Sequence, residues 1–272
     1  MTKGERVQIR AYVVGFGDCL LVRIPDGPAV RHMLVDFGKA PGKGGTTSMF
    51  PDIARDIAEF CRGHLDVLVV THEHLDHMEG FFHQRAIFDA MQIDHVWMGL
   101  PSHPNYYLDY PDAHLHKRLR ALPSEFLTAA AQQGLTLAPS FQALLENNLA
   151  NPERVEYLRK LKGAKLHYLA RGQHGKNFGP FRNVAVDILA PEPDVSVYYG
   201  RTARTHALLA GARLGVFAAE EVALNGAAGP PDFWSFPDQP QVPGPPNLSA
   251  TDWRRLRDAL RTGGVQTARF ID

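Results

Sequence analysis

The chain has 272 residues, a length that buries one substantial core with at most a small appendage. Its 29 basic and 29 acidic side chains cancel, so the overall charge gives no indication of a nucleic-acid partner. No uncharged apolar run is long enough to cross a bilayer or to form the core of a signal peptide. Cys19 and Cys61 lie in apolar segments without metal-site spacing, which favours buried thiols in a reducing compartment. We therefore expect a cytoplasmic protein that does not enter a membrane.

The first seventy residues alternate strand signals with turn signals. Three segments have the apolar patterns of strands: residues 7–13, 19–24 and 33–36. Turn-forming residues at 15–18 and 25–28 separate them. Apolar side chains at helical spacing predict a helix over 49–61, with Pro51 suited to its first turn. A continuous apolar strand follows at 65–70, as expected for a strand that is covered on both faces.

A histidine-rich loop follows this strand directly, with the sequence Thr71-His72-Glu73-His74-Leu75-Asp76-His77. His72 and His74 are two residues apart, so in an extended segment their rings project to the same side and can bind one ion. Asp76 and His77 come where the chain turns into a helix, within reach of a neighbouring ion. Imidazole and carboxylate groups are ligands that zinc, iron and manganese accept. A polar surface loop without a metal is the alternative, which this order of ligands after a strand disfavours.

Beyond the loop, the pattern becomes more helical. An amphipathic helix is predicted at 81–91 and a short strand at 95–98. Residues 99–165 are interpreted as a helical insertion, with helices at 113–122 and 124–133. Strand signals return in two segments: 166–169 and 184–189.

The C-terminal region changes in composition. Residues 227–247 are rich in proline and are predicted to form a linker or an extended arm. Residues 248–272 are predicted to contain a helix and a final strand. We assign residues 1–226 to one domain and interpret the last segment as the start of a second half.

Several of these features together resemble the metallo-β-lactamase superfamily, in particular the branch of the DNA-uptake competence proteins. The resemblance rests on the loop from His72 to His77, on Gly80, and on three earlier segments: Val14-Gly15-Phe16-Gly17-Asp18, Leu20-Leu21-Val22-Arg23 and Leu34-Val35-Asp36-Phe37-Gly38. It covers residues 7–98 and, loosely, 178–191. It implies an α/β (α+β) fold, the αββα sandwich with its metals at one edge, here with a helical insertion.

The resemblance also implies a role for each residue of the loop. His72 and His74 would be ligands of a first metal ion, and Asp76 and His77 of a second. Asp76 would in addition orient the attacking water. The ions are expected to be Zn²⁺, two per chain, with manganese or iron as alternatives.

Two features close to the loop have competing interpretations. Asp36 resembles an aspartate that braces the metal loop and fixes the orientation of its ligands, but it could equally cap a turn before Gly38. Gly15 and Gly17 are interpreted as a tight hairpin turn rather than a phosphate site, because no helix signal follows them.

The family's remaining ligands are not visible in the sequence. These are a third histidine, a bridging aspartate in a Gly-Asp pair and a final histidine, and no Gly-Asp pair occurs after His77. His174 has the best setting for the third ligand, although an exposed loop histidine is the favoured interpretation. His114 and His116 are assigned to the surface. Either the chain is the amino-terminal portion of a longer protein, or its second half has diverged beyond recognition.

These observations favour the hypothesis that the chain is a metal-dependent hydrolase, which acts on an ester, phosphodiester or amide bond. Its substrate would be an unknown small molecule or a phosphodiester. The alternative is a non-catalytic or truncated binding or regulatory module of the same fold, and the metal count separates the two. A nuclease is a third and weaker hypothesis. Tyr106, Tyr107 and Tyr110 in the insertion are either a recognition patch or simple packing. An incomplete sandwich would expose apolar strand surface, so we expect the isolated chain to be poorly soluble, oligomeric or chaperone-bound.

Overall fold

The computed structural model describes residues 6–41, 47–137, 139–149 and 151–197. The predicted linker at 227–247 and the helix and strand predicted within 248–272 lie outside the described residues. None of the helices in the described ranges is long and apolar enough to cross a membrane. The described residues divide into two compact units, one within 1–114 and 147–195 and the other within 115–146 and 196–197.

The first unit is built on a six-stranded sheet. Its strands are β1 (Gln8–Ala11), β2 (Leu20–Asp26), β3 (Ala29–Val35), β4 (His64–Val70), β5 (Gln92–Gly99) and β6 (Lys165–Leu169). They lie side by side in chain order, antiparallel from β1 to β3 and parallel from β3 to β6. The predicted mixed α/β class is therefore confirmed, and each of these strands overlaps a predicted one. The hairpin predicted around Gly15 and Gly17 is also present, since β1 and β2 pair across it.

Helices of the first unit cover one face of this sheet. The helices of the described chain are α1 (Phe50–Phe60), α2 (Leu75–His83), α3 (Arg85–Ala90), α4 (Tyr106–Asp109), α5 (His114–Gln132), α6 (Pro139–Asn147) and α7 (Pro152–Arg159). Parallel strands that follow one another in sequence and in space are joined by right-handed crossovers, which place their helices on the same side. The main core accordingly joins Leu34 and Leu68 of the sheet to Phe50 of α1, Phe81 of α2 and Leu158 of α7.

A smaller cluster covers the opposite face. Val67 and Trp97 pack there with Phe181, which belongs to the segment that follows β6. That segment includes the short strands β7 (His174–Gly175) and β8 (Val186–Asp187). Strand β4 is thus covered on both faces, as its continuous apolar sequence predicted. Among the described residues the second sheet is only the two-stranded pair β7–β8, so the specific αββα architecture stays a prediction.

Two helix boundaries differ from the prediction. The helix predicted at 81–91 begins at Leu75 and is divided into α2 and α3 at Gln84. Its buried positions Leu75, Met78 and Phe81 recur every three residues, and the first two lie inside or beside the ligand motif, where the sequence indicates only that the chain turns into a helix. The two helices predicted at 113–122 and 124–133 are the single helix α5, which continues through Pro123.

The second unit has a core of its own within its described part. α5, α6 and Leu137 between them supply its buried side chains, and the rings of Phe126 and Phe141 meet edge to face with their centroids 5.5 Å apart. In the first unit, the tyrosine cluster of the insertion is also a packing feature. Tyr106 is fully buried; its hydroxyl donates to the Pro193 carbonyl at 3.0 Å and accepts from the Val195 amide at 2.9 Å.

Candidate metal centre

The histidine loop joins the carboxyl end of β4 to the start of α2. Residues 71–74 connect Val70, the last residue of β4, to Leu75, the first of α2. The end of the neighbouring strand β3 lies alongside, because the amide of Asp36 donates to the Val69 carbonyl at 2.9 Å. Parallel strands end at the same edge of a sheet, and the loop is therefore placed where ligand sites form in sheets of this kind.

His72 and His74 bring their ring nitrogens together. Nε2 of His72 lies 3.1 Å from Nδ1 of His74. Two ligand atoms that each lie about 2.0–2.1 Å from one tetrahedral ion are roughly 3.3 Å apart, so this spacing fits shared coordination. Burial lowers the pKa of His72, and the neighbouring charge of His77 lowers it further. The neutral ring that a metal requires is thus the favoured form.

Asp76 and His77 form a second pair beside the first. Oδ2 of Asp76 lies 3.5 Å from Nε2 of His77, again close to the spacing of two ligands on one ion. One ligand atom from each of His72, Asp76 and His77 lies within 4.8 Å of the other two. Burial alone would raise the pKa of Asp76, but hydrogen bonds from His77 and Asn147 outweigh it and hold the pKa below its usual value. The ionised carboxylate is therefore the stable form.

Asp36 braces the loop from the end of β3. Its side chain is almost fully buried. Oδ1 accepts the amide of Thr71 at 2.8 Å, and Oδ2 accepts the Thr71 hydroxyl at 2.7 Å. The same Oδ2 lies 2.9 Å from Nδ1 of His77. Of the two interpretations of Asp36, these contacts support bracing, and they leave Nε2 of His77 as the nitrogen that faces Asp76.

The charge around His77 favours a cation. Burial works against its protonated ring, but hydrogen bonds and charges from Asp36 and Asp76 prevail and raise the pKa of His77 to about 10. A further carboxylate is close, since Oδ2 of Asp18 lies 3.6 Å from Nδ1 of His77. A divalent ion bound at Nε2 would take over the place of that proton, which is the usual coupling between metal binding and deprotonation.

Glycines allow the backbone to pack tightly behind the loop. A Cβ atom on Gly38 would lie 2.4 Å from the Leu75 carbonyl oxygen, and one on Gly80 would lie 2.7 Å from the carbonyl oxygen of Phe37. Phe37 donates its amide to the His77 carbonyl at 2.9 Å and accepts the Gly80 amide at 2.8 Å. The first turn of α2 is therefore fastened to the end of β3 by backbone contacts that any side chain would disrupt.

One residue at the site had no signal in the sequence. Asn147 is buried and hydrogen-bonds Asp76 twice. Its Oδ1 accepts the Asp76 amide at 3.0 Å, and its Nδ2 donates to Oδ1 of Asp76 at 2.9 Å. Asn147 and Asp76 both lie in the first unit. Asn147 nevertheless comes 71 residues later in the chain, within the predicted insertion.

The other candidate ligands stay outside the cluster. Among the described residues, two groups at the loop have ligand atoms close enough to hold a metal: His72, Asp76 and His77, and Asp18, Asp36 and His77. His74 is in neither group. His174 is exposed and pairs with Asp187 between β7 and β8. His114 is exposed, as expected for a surface residue. His206 lies outside the part of the chain that the structure describes.

Comparison of the chain with protein-family models, with curated proteins and with solved structures gives no match. The resemblance to the metallo-β-lactamase superfamily therefore depends on the loop, on Gly80 and on the segments before the loop that include Asp36. What the structure adds is the geometry of these residues.

Proposed function

We propose that this chain is a metal-dependent hydrolase of the metallo-β-lactamase type, which uses zinc to activate water. The observation that carries the proposal is the arrangement of two ligand pairs in one loop, with separations of 3.1 Å for His72 and His74 and 3.5 Å for Asp76 and His77. Both separations suit one ion per pair. An imidazole pair and an imidazole with a carboxylate are also the donor types that zinc accepts.

Each residue of the site has a defined part in this proposal. His72 and His74 would hold the first ion, and Asp76 and His77 the second. When bound, zinc lowers the pKa of a coordinated water to about 7, which provides a nucleophile at neutral pH. Asp36 keeps Nδ1 of His77 engaged at 2.9 Å, so that Nε2 stays available. The ionised Asp76 would accept a hydrogen bond from the attacking water and orient it.

The substrate class remains broad within this proposal. The site would act on an ester, a phosphodiester or an amide, and no described residue selects among them. Nucleic acid has no support from charge, because basic and acidic side chains balance.

We also propose the cytoplasm as the compartment, since Cys19 and Cys61 are free and buried, as reducing conditions allow.

A specific observation favours a second candidate, a metal-binding module without catalysis. Among the described residues, every potential ligand at the site comes from the loop or from Asp18 and Asp36 beside it. Hydrolytic zinc sites leave one coordination position open to water while protein groups fill the others. A centre that depends on this loop alone would hold metal without positioning a substrate.

An activity screen separates the two candidates. The zinc-loaded chain is assayed with generic ester, phosphodiester and amide substrates, with and without a chelator. A hydrolase loses its turnover in chelator and in the variant Asp76→Asn, which keeps the size of the side chain but removes the charge. A chain that binds zinc and turns over none of these substrates supports the module.

A further inference from the structure

We propose that Asn147 is a positioning residue of the metal centre, which holds the Asp76 carboxylate so that one oxygen alone faces the metal. The inference rests on the proposed metal centre. It concerns a residue outside the loop and outside every motif in the sequence.

The first step is the pair of hydrogen bonds that the Asn147 side chain makes with the backbone and with the carboxylate of Asp76. Asn147 accepts the Asp76 amide at 3.0 Å and donates to Oδ1 of Asp76 at 2.9 Å. One bond fixes the backbone of Asp76 and the other fixes its carboxylate. A side chain held at both points cannot turn about its own bonds without breaking one of them.

The second step is the position of Asp76 in α2. It is the second residue of that helix, and amides in the first turn of a helix have no partner within the helix. The residue before the helix, His74, makes no capping hydrogen bond with its side chain. Asn147 supplies this acceptor from a distant part of the sequence. The His74 ring does not cap the helix and lies beside His72 instead, with Nδ1 of His74 3.1 Å from Nε2 of His72.

The third step is that the two carboxylate oxygens of Asp76 have different partners. Oδ1 of Asp76 is engaged by Asn147, while Oδ2 lies 3.5 Å from Nε2 of His77. Asp76 and Asn147 are both buried, and hydrogen bonds between buried groups hold their geometry more firmly than exposed ones. The carboxylate would therefore offer Oδ2 to an ion as a single ligand, with its direction set in advance.

Zinc titration of the full chain tests this assignment. Asn147→Ala removes both hydrogen bonds. Asn147→Asp keeps the shape and the acceptor for the Asp76 amide, but places an acceptor where the donor was. Asn151→Ala is the matched control, because Asn151 lies in the same segment and its side chain bonds the Leu149 carbonyl instead.

We expect both Asn147 variants to bind the second zinc equivalent about 10- to 100-fold more weakly than the wild type, which is the usual cost of losing a partner that supports a ligand. The first equivalent and the control variant should be unchanged. Thermal unfolding in chelator checks that the variants fold, and Asn147→Asp serves if the alanine variant does not. A second equivalent bound as tightly by both Asn147 variants as by the wild type overturns the role of Asn147. A wild type that binds no zinc overturns the metal centre itself, so the two failures are distinct.

Discussion

Oδ2 of Asp36 lies 2.9 Å from Nδ1 of His77, and this contact ties the end of β3 to the helix that begins in the histidine loop. The two residues are 41 positions apart in the sequence. Because the Asp36 carboxylate also accepts two hydrogen bonds from Thr71, one buried charge organises both ends of the loop. The orientation of the His77 ring is thereby set before any ligand arrives.

Replacing Asp36 should weaken both the fold and the metal centre. Asp36→Asn removes a buried charge that accepts three hydrogen bonds, and we expect the free energy of unfolding to fall by about 2 kcal/mol. Urea denaturation in chelator measures it. Asp52→Asn is the control, since Asp52 is exposed on α1, where it pairs with Arg55 at 2.6 Å; its effect should stay below about 0.5 kcal/mol. An Asp36 variant as stable as this control would contradict the bracing role.

Gly80 should not tolerate even one added carbon. Gly80→Ala would normally stabilise a helix by up to about 1 kcal/mol, but here the new Cβ would lie 2.7 Å from the Phe37 carbonyl oxygen and ring. We expect a net loss of about 1–3 kcal/mol, as for other overpacked sites. Gly99→Ala is the comparison, because its Cβ would meet Pro191 at an ordinary 3.5 Å. Equal melting temperatures for the two variants would show that the loop does not pack as described.

The pair of histidines between β5 and β6 should make stability depend on pH. Nδ1 of His95 lies 2.9 Å from Nε2 of His167. Burial, together with neighbouring positive charge, lowers the pKa of both rings. The unfolded chain therefore takes up protons first, so this contribution to stability is complete above the unfolded pKa of about 6.5 and is lost as the pH falls below it.

The variant His167→Gln isolates this contribution. Denaturant unfolding at pH 7.5 and at pH 5 should show a smaller loss on acidification in His167→Gln than in the wild type. Changes common to both proteins, including those of the metal loop, cancel in the difference. His114→Gln is the control at an exposed position. A loss on acidification that is the same in all three proteins would exclude the His95–His167 pair as its source.

The sequence predicted the fold best where apolar residues recur regularly, and it predicted the site best where several potential ligands lie close together. Alternating or continuous apolar residues indicated the strands of the sheet, and the spacing of His72 and His74 indicated that their rings would meet. The turn into a helix at Asp76 and His77 was expected, but the predicted bounds of 81–91 began too late, because the first residues of α2 also serve as ligands. Nothing indicated Asn147, since a single asparagine in a polar helical segment has no pattern and its partner Asp76 lies 71 residues earlier. The sequence could not decide between the two interpretations of Asp36, because the contact between the end of β3 and the loop forms only in the folded chain.

Metal content is the most direct test of the metal centre. The full chain is purified without chelator, supplied with zinc and analysed by mass spectrometry beside the double variant His72→Ala with His74→Ala. Thermal unfolding in chelator confirms that both proteins are folded. We predict close to two zinc ions per wild-type chain and the loss of at least one in the variant, because its first ligand pair is gone. The same metal content in the two proteins, or none in the wild type, would contradict the assignment of the histidine loop as a metal site.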